Sequence, residues 1–471
     1  MISLTINGKA RSLEREMSVP DLLRVLEINQ RLVAVAINGE VVPKREHART
    51  TVRGGDAVEI VRMVGGGARS RRSKLEARSS KAEGADVVIV GGGIVGCAIA
   101  YELARRGVPC LLLDSRRLGM AATNAAAGIL APLAEFQRPD ALVRLGLEGL
   151  RRYPAWAARL REDVPDIDVE LELTGVLRVA FDERELEELR GGMRYGQQLG
   201  VELVALDARM VREVEPRLSE RVVGGVFSPD EGHVSNQLFT LAVARAAKKR
   251  GARIIEGAPV TGFASSGGRV TAVRTPRGEF ACDRLVLAAG PWTRLLAEKL
   301  HADVPTFPVR GQMLALGRMV TPIRTVVWGP RGYLVPRANG LVFAGATVEQ
   351  VGFRIRTTQG GLAQVRRGAF ELVPQLRHAR EHFSWAGLRP GSPDGLPMLG
   401  ALPGWENVTV ASGHFRNGIL LGPLTGELIA QALVEGEGEA LAPFGLERFS
   451  SRRRAPARQR PPAGRPRRIQ R

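Results

Sequence analysis

Short apolar runs cut by glycine-rich turns organise the chain, and their period changes along it. Ile2–Ile6 and Ala10–Leu13 flank Asn7-Gly8, a dipeptide that favours a tight hairpin turn. Ser18 is placed to cap a helix through Asp21–Leu26, where apolar residues recur at helical spacing. Leu32–Ile37 reads as a strand turned by Asn38-Gly39, and Ala57–Val61 as a last strand before Gly65-Gly66-Gly67. From Asp86 the pattern changes. Asp86–Val90 is an apolar strand, Ile94–Arg106 a helix stopped by Gly107, and Cys110–Leu113 a second buried strand that closes on Asp114. Further on, Asp283–Trp292 reads as a buried strand ending in Ala-Gly-Pro-Trp, Tyr333 opens another, and Thr425–Val434 is a helix after a turn rich in Gly, His and Asn. No internal repeat is visible.

A hairpin, a helix and further strands within 67 residues suit an α+β unit of the ubiquitin-like β-grasp kind. The strand–helix–strand unit after Asp86 belongs instead to an α/β, Rossmann-type sheet. Residues 68–85 lack a hydrophobic period and read as a basic flexible linker, and residues 449–471 as a disordered Arg-rich tail.

Composition changes this picture little. With 471 residues, 44% hydrophobic and 25% charged, the chain is expected to be soluble, with room for two or three domains. Its most apolar stretch, Val87–Tyr101, is shorter than a membrane span and broken by glycines. The formal charge of +19 is more informative by its location. Residues 450–471 carry nine arginines and no acid, and 68–85 carry six basic and two acidic residues. Most of the excess therefore sits on the linker and the tail. Residues 68–85 and 450–471 have no aromatic residue for base stacking, so no specific nucleic-acid partner is expected. Cys97, Cys110 and Cys282 all lie in apolar runs and read as packed thiols of a reducing compartment, which predicts a cytoplasmic protein.

The chemistry concentrates at the start of the α/β unit. Gly91, Gly93 and Gly96 stand in G-x-G-x-x-G spacing between a strand and a helix. The first makes the tight turn, the second lets backbone approach a pyrophosphate, and the third lets the helix pack on the sheet. The helix N-terminus offers free N–H groups to the phosphates, and Asp114 lies where an acid accepts ribose hydroxyls. Together these predict dinucleotide binding. Residues 119–132 form a run of small side chains that can lie against a flat ring, or be a plain Ala-rich helix. Arg389, between Trp385–Leu388 and Pro390-Gly391, reads as a guanidinium leaving a buried strand at a turn. It needs an anion, which is either a substrate carboxylate or a structural partner. A lone Tyr333 is as readily a rim residue as a ligand group. His378 and His382 are four apart on a predicted helix but lack the H-E-x-x-H pattern, so no metal site is expected.

Two resemblances follow. Residues 1–67, with their terminal glycines, resemble the sulfur-carrier protein of thiamine biosynthesis. The segments GGGIVG at 91–96, AAAGIL at 125–130, GYLVPR at 332–337, AGLRPGSPDGLPMLG at 386–400 and GHFRNGILLGPLTGELI at 413–429 resemble the flavin-dependent glycine oxidases, within the D-amino-acid oxidase superfamily. The likeness covers residues 86–445. It implies a Rossmann-type FAD-binding domain (about 86–168, 222–303 and 385–445) interleaved with an antiparallel-sheet substrate domain (about 169–221 and 304–384), within a body spanning 86–448. It also implies FAD contacts from Ile94, Val95, Asp114, Ser115, Ala122, Thr123, Ala127, Gly128, Ile129, Val260 and the run His414, Phe415, Arg416, Asn417, Gly418, Ile419 and Leu420. Arg389 and Tyr333 match the family's carboxylate-binding pair. Two positions depart from the pattern: Asp114 replaces the usual glutamate, and Arg331 stands where a histidine can occur. With all three cysteines in predicted core elements, the FAD is expected to be non-covalent.

The implied reaction is oxidation of glycine by oxygen to its imine, with hydrogen peroxide as co-product, for thiazole assembly. An adenylating enzyme, thiazole synthase and a second copy of the chain are the implied protein partners. Two alternatives stay open: a sarcosine, proline or D-amino-acid oxidase or dehydrogenase, and a protein that acts mainly as a sulfur carrier. The carrier reading needs cleavage at Gly67 or Gly66, because Ala68 blocks the terminal carboxylate.

Overall fold

The computed structural model describes residues 2–6, 9–13, 15–26, 33–38, 40–42, 46–47, 49–62, 83–133, 141–317 and 322–449. It divides into two compact units, Met1–Ser79 and Ser80–Arg471.

In the first unit, Ile2–Ile6 pairs antiparallel with Lys9–Leu13 and parallel with Ala57–Arg62, through Thr5↔Ala57 and Ile6↔Val58. Ala57–Arg62 also pairs with Val33–Ile37, which continues to Glu40–Val42. First and last strands side by side and parallel are the β-grasp arrangement. The expected helix forms as Val19–Val25, with the Ser18 hydroxyl accepting from the Asp21 amide. It buries Val19, Leu22 and Leu23 against Leu4, Leu13, Val35 and Val58, one small core. Asn38 adopts φ 52°, and its Oδ1 accepts the Ala57 amide at 2.9 Å, which ties the turn to the last strand. Asn7-Gly8, Gly39, Gly65, Gly66 and Gly67, residues 68–82 of the expected linker and residues 450–471 of the tail lie outside the described residues.

The second unit contains two eight-stranded sheets. In the first, Arg253–Ile255, Cys110–Leu113, Glu83–Val90, Gly278–Leu287 and Val408–Ser412 run parallel in that order. Arg269–Thr275 and Gly262–Ser266 extend it antiparallel from Gly278–Leu287. The helices Ile94–Arg105, Asn236–Lys249 and Gly418–Glu435 pack on one face through Ala98, Ile99, Phe239, Val243, Leu421 and Ile429. Gly418–Glu435 is the one described helix long and apolar enough to cross a membrane. Gly422 and Gly426 let it press onto Ile94 and Ala98 of the fingerprint helix, so its apolar composition serves this packing.

The second sheet runs in the order Val204–Asp207, Gly224–Ser228, Val176–Ala180, Val326–Gly329, Gly332–Pro336, Val342–Gly345, Phe307–Leu316 and Glu381–Gly391. All its pairings are antiparallel except Val176–Ala180 with Val326–Gly329. The helix Gln359–Leu372 buries Val365, Ala369 and Leu372 on its core.

Several expected boundaries move. The fingerprint strand begins at Glu83, inside the expected linker, because Phe280–Cys282 of a ten-residue strand offers backbone partners to Glu83–Ala85. Gly224–Ser228 and Glu381–Gly391 join the second sheet rather than the first, held there by Val176–Ala180 and Phe307–Leu316. The helix expected at Thr425–Val434 begins at Gly418 and carries Pro423 inside its second turn. His378 ends a 3₁₀ turn, Pro374–His378, and His382 lies on a strand, so the two are not on one helix.

Candidate active site

The two sheets of the second unit wall a single cavity of about 430 Å³. At one end the fingerprint glycines set the backbone. Gly91 has φ 115°, and a Cβ there would lie 2.6 Å from the Ala288 carbonyl carbon, so only glycine fits. A Cβ on Gly96 would overlap the Gly91 carbonyl oxygen, which makes Gly96 the helix–turn packing glycine. Gly93 is the N-cap of Ile94–Arg105 and has no capping side chain of its own. Instead Thr123, from the small-residue run, accepts the Ile94 amide on its Oγ1 at 3.1 Å. The rest of the first turn opens toward the cavity with the positive end of the helix dipole.

Asp114 follows the second strand. Its Oδ2 accepts the Gly92 amide at 2.6 Å and its Oδ1 the Arg116 amide at 2.7 Å. Burial raises its pKa, against the lowering by those two backbone bonds. Each oxygen keeps a lone pair, the pattern needed to accept a sugar hydroxyl. The shorter aspartate thus still reaches the turn. Gly128, with φ 82°, allows the run 125–130 to pass over Val234, where a Cβ would lie 3.2 Å from the carbonyl carbon.

At the other end stand the groups of the second sheet. The Arg389 guanidinium lies across Gly311 on the neighbouring strand and donates from Nη1 to the Thr347 carbonyl at 3.0 Å. Tyr333 lies over Gly345 and packs tilted against Trp328, with ring centroids 5.0 Å apart. Its hydroxyl donates to Met313 Sδ at 3.8 Å. Burial raises the Tyr333 pKa, while the Arg389 charge and hydrogen bond pull the other way, so the phenol stays a neutral donor. His414 is buried, shares a hydrogen bond with Thr425 Oγ1 at 3.1 Å, and is held neutral by burial, with its pKa pushed down to about 4. Arg416 lies over the Phe415 ring at 5.3 Å, and burial lowers its pKa.

Of the residues expected from sequence, Gly91, Gly93, Ile94, Val95, Asp114, Ser115, Ala122, Thr123, Ala127, Gly128, Ile129, Val260, Tyr333, Arg389 and His414 through Ile419 line this one cavity. Gly96 and Leu420 lie behind its wall. Arg331 does not line it; its guanidinium pairs with Glu371 and is exposed. Sequence reasoning missed Trp328, Met313, Gly311, Gly387, Arg116 and Lys299, which line the cavity too. Trp292 was half-visible as the end of the Ala-Gly-Pro-Trp run; it stacks on Phe353 and under Arg116. The glycine cradle, the open helix N-terminus and the acid at the second strand fit the pyrophosphate and ribose of FAD. Among the described residues no cluster suits a metal ion.

Residues 86–432 match the family described as FAD dependent oxidoreductase. The chain belongs to that family. Residues 4–67 match the ThiS family, so the FAD dependent oxidoreductase body carries a ThiS-family unit ahead of it. The chain is similar to a glycine oxidase of Geobacillus kaustophilus, 37% identical over 368 residues, covering 77% of this chain and 97% of that protein. It is equally similar, at 37% over 373 residues, to the bifunctional protein ThiO/ThiG of Synechocystis, of which it covers 54% against 77% of itself. The crystal structure of the Geobacillus glycine oxidase superposes with a TM-score of 0.74 at 35% identity, covering 77% of this chain and 98% of that one. An iminodiacetate oxidase of Chelativorans superposes at 0.71 with 25% identity, covering 76% and 98%.

Proposed function

We propose that the chain oxidises glycine to its imine with oxygen as acceptor, and that FAD lies along the cavity from Asp114 to Tyr333. The observation that carries this reading is the convergence of Arg389 and Tyr333 on the sheet wall of a cavity whose far end is the dinucleotide fingerprint. Gly91, Gly93, Ile94 and Val95 would cradle the pyrophosphate, Asp114 and Ser115 the ribose, Val260 the adenine side, and Ala127–Ile129 with His414–Ile419 the ring system. When bound, FAD supplies the acceptor for the hydride that leaves the substrate carbon, and dioxygen carries the electrons on to hydrogen peroxide.

The chain's own residues supply orientation. Arg389 gives one N–H to the Thr347 carbonyl and a hydrogen bond to the Tyr333 hydroxyl, and its fork lines the cavity, where the other donors would take a carboxylate. The Tyr333 hydroxyl, turned from the long bond to Met313 Sδ, would add a neutral donor beside it. Fixing the carboxylate at two donors fixes the direction in which the α-carbon and its amine project. Trp328 and Met313 pack on Tyr333 and line the cavity beside it, so a side chain on that carbon would meet bulky neighbours there, which would favour glycine over larger amino acids. The name of the 37% identical Geobacillus relative, glycine oxidase, points the same way. The test is a steady-state panel of glycine, sarcosine, proline and D-amino acids under air with peroxide detection. Glycine should lead or share the lead; faster turnover of bulky D-amino acids would overturn the reading.

The ThiS-family unit favours a second activity in the same chain: after cleavage at Gly67, its carboxylate would receive sulfur from an adenylating enzyme and pass it to thiazole synthase. A cytoplasmic homo-oligomer serving thiamine biosynthesis is the setting that joins both activities.

A further inference from the structure

Behind Arg389, away from the cavity, lies a polar cluster that the reaction above does not use. The carbonyl that takes the Arg389 Nη1 proton belongs to Thr347, which is 1% exposed. Its Oγ1 accepts the Gln312 amide at 3.0 Å and donates to Glu349 Oε1 at 2.5 Å. Glu349 Oε1 also accepts from Gln312 Nε2 at 2.7 Å, and Oε2 is paired with the Arg310 guanidinium. Arg310 and Glu349 exchange backbone hydrogen bonds as well, at 2.8 and 3.0 Å. Thr358 closes the cluster by donating its amide to Gln312 Oε1 at 2.7 Å. Arg310 and Gln312 flank Gly311, the residue over which the Arg389 fork lies. Burial opposes ionisation of Glu349, but the donors from Arg310, Thr347 and Gln312 hold its pKa down to about 2, so it stays a carboxylate.

We infer that Thr347 and Glu349 are positioning residues for Arg389, setting where its guanidinium presents itself to a substrate carboxylate. The inference rests on Arg389 being the carboxylate anchor proposed above. A guanidinium on a long, flexible stem costs entropy to hold in one place unless its neighbours fix it. Here the Thr347 carbonyl does so together with the Tyr333 hydroxyl, and Thr347 is held in turn by its own hydroxyl, which bridges the Gln312 amide and the Glu349 carboxylate. Removing the hydroxyl leaves the buried Gln312 amide unpaired and takes one of two donors from Glu349 Oε1, so the Thr347 peptide is held only by its longer backbone bond to the Gln312 carbonyl, at 3.4 Å. A shift of the fork by a fraction of its own bond length weakens bidentate contacts to a small anion without touching the flavin.

The experiment uses the full, flavin-loaded chain and acetate as a small carboxylate probe. Acetate affinity is read from the change it causes in the flavin absorption spectrum, alongside flavin content and the KM and kcat for glycine. Thr347→Val should weaken acetate and raise KM for glycine, each by roughly tenfold, with kcat changed less than about twofold and flavin content unchanged. Thr347→Ser, which keeps the hydroxyl, should behave like the native chain, and Glu349→Gln should follow Thr347→Val if it folds. Arg389→Ala is the reference. If it binds acetate like the native chain, the anchor reading fails and the inference falls with it. If Arg389→Ala loses acetate but Thr347→Val keeps native affinity and KM, the inference alone is overturned. Equal loss in Thr347→Ser and Thr347→Val would overturn it too, because the hydroxyl would then not be the cause.

Discussion

Gly311→Ala perturbs the anchor without touching its charge. Gly311 is on a sheet strand with an ordinary extended backbone, so alanine meets no conformational penalty. Its Cβ, however, would lie 2.5 Å from Arg389 Cζ, with both terminal nitrogens equally close. Non-bonded carbons approach no closer than about 3.5 Å without cost, so the guanidinium must withdraw by roughly 1 Å. The far end of a flexible side chain can make that move cheaply, and the unfolding midpoint should stay within a few degrees. The geometry at the carboxylate cannot absorb the same move. A misplacement of about 1 Å costs on the order of a hundredfold in rate. Peroxide release from glycine should therefore show kcat/KM reduced by one to two orders of magnitude, with flavin content and spectrum native. A Gly311→Ala enzyme within twofold of native would mean that Arg389 does not set the substrate's place from where it lies.

Other consequences are simpler. Arg389→Ala should lose most glycine turnover, on the order of 2–5 kcal/mol of the binding and activation free energy, and Arg389→Lys should rescue it poorly because a point charge cannot reproduce the fork. Gly93→Val should abolish flavin loading, read as loss of the yellow chromophore, since the side chain fills the space beside Thr123 where phosphate would sit. Acid precipitation of the native protein should release all flavin to the supernatant. His414 and His233 are buried and neutral, each pushed from 6.5 to about 4. The unfolded chain binds their protons first, so stability should fall as pH drops from about 6.5 to 4 and level off below, by on the order of 3 kcal/mol for each imidazole, as urea unfolding at stepped pH would show. A chain ending at Gly67 should accept sulfur from the adenylating enzyme and a sulfur donor, seen by mass, while the full chain should not.

What was legible in the sequence was what local patterns encode. Strand, glycines, helix and Asp114 lie within thirty residues, and each leaves its mark in apolar period or turn chemistry. Arg389 stood out as a cation between an apolar run and Pro-Gly, and the β-grasp unit announced itself through Ser18 and its short strands. The rest depends on distant partners. Gly311 and Gly387 matter because the register places them opposite each other across two strands. Met313 reaches Tyr333 only because both pair with Gly345 on the strand between them, while Trp328 faces Tyr333 directly across a hairpin whose register the turn residues did not disclose. Glu83–Ala85 looked like linker because the strand that recruits them lies almost 200 residues on. The helix expected from Thr425 starts at Gly418 instead, with Pro423 in its second turn, and the glycines at 422 and 426 hold it on its neighbour. Arg331 sits two residues from Tyr333 on the same hairpin, but the turn sends it outward to Glu371.

The most direct measurement of the central claim is reduction of the bound flavin by glycine in the absence of oxygen, followed by stopped-flow absorbance in the native chain and in Arg389→Ala. Bleaching of the oxidised flavin band that saturates with glycine in the native chain, and becomes at least tenfold slower or non-saturating in the variant, is the result this account predicts. Native protein whose flavin stays oxidised in the presence of glycine, or a variant reduced at the native rate, would contradict it.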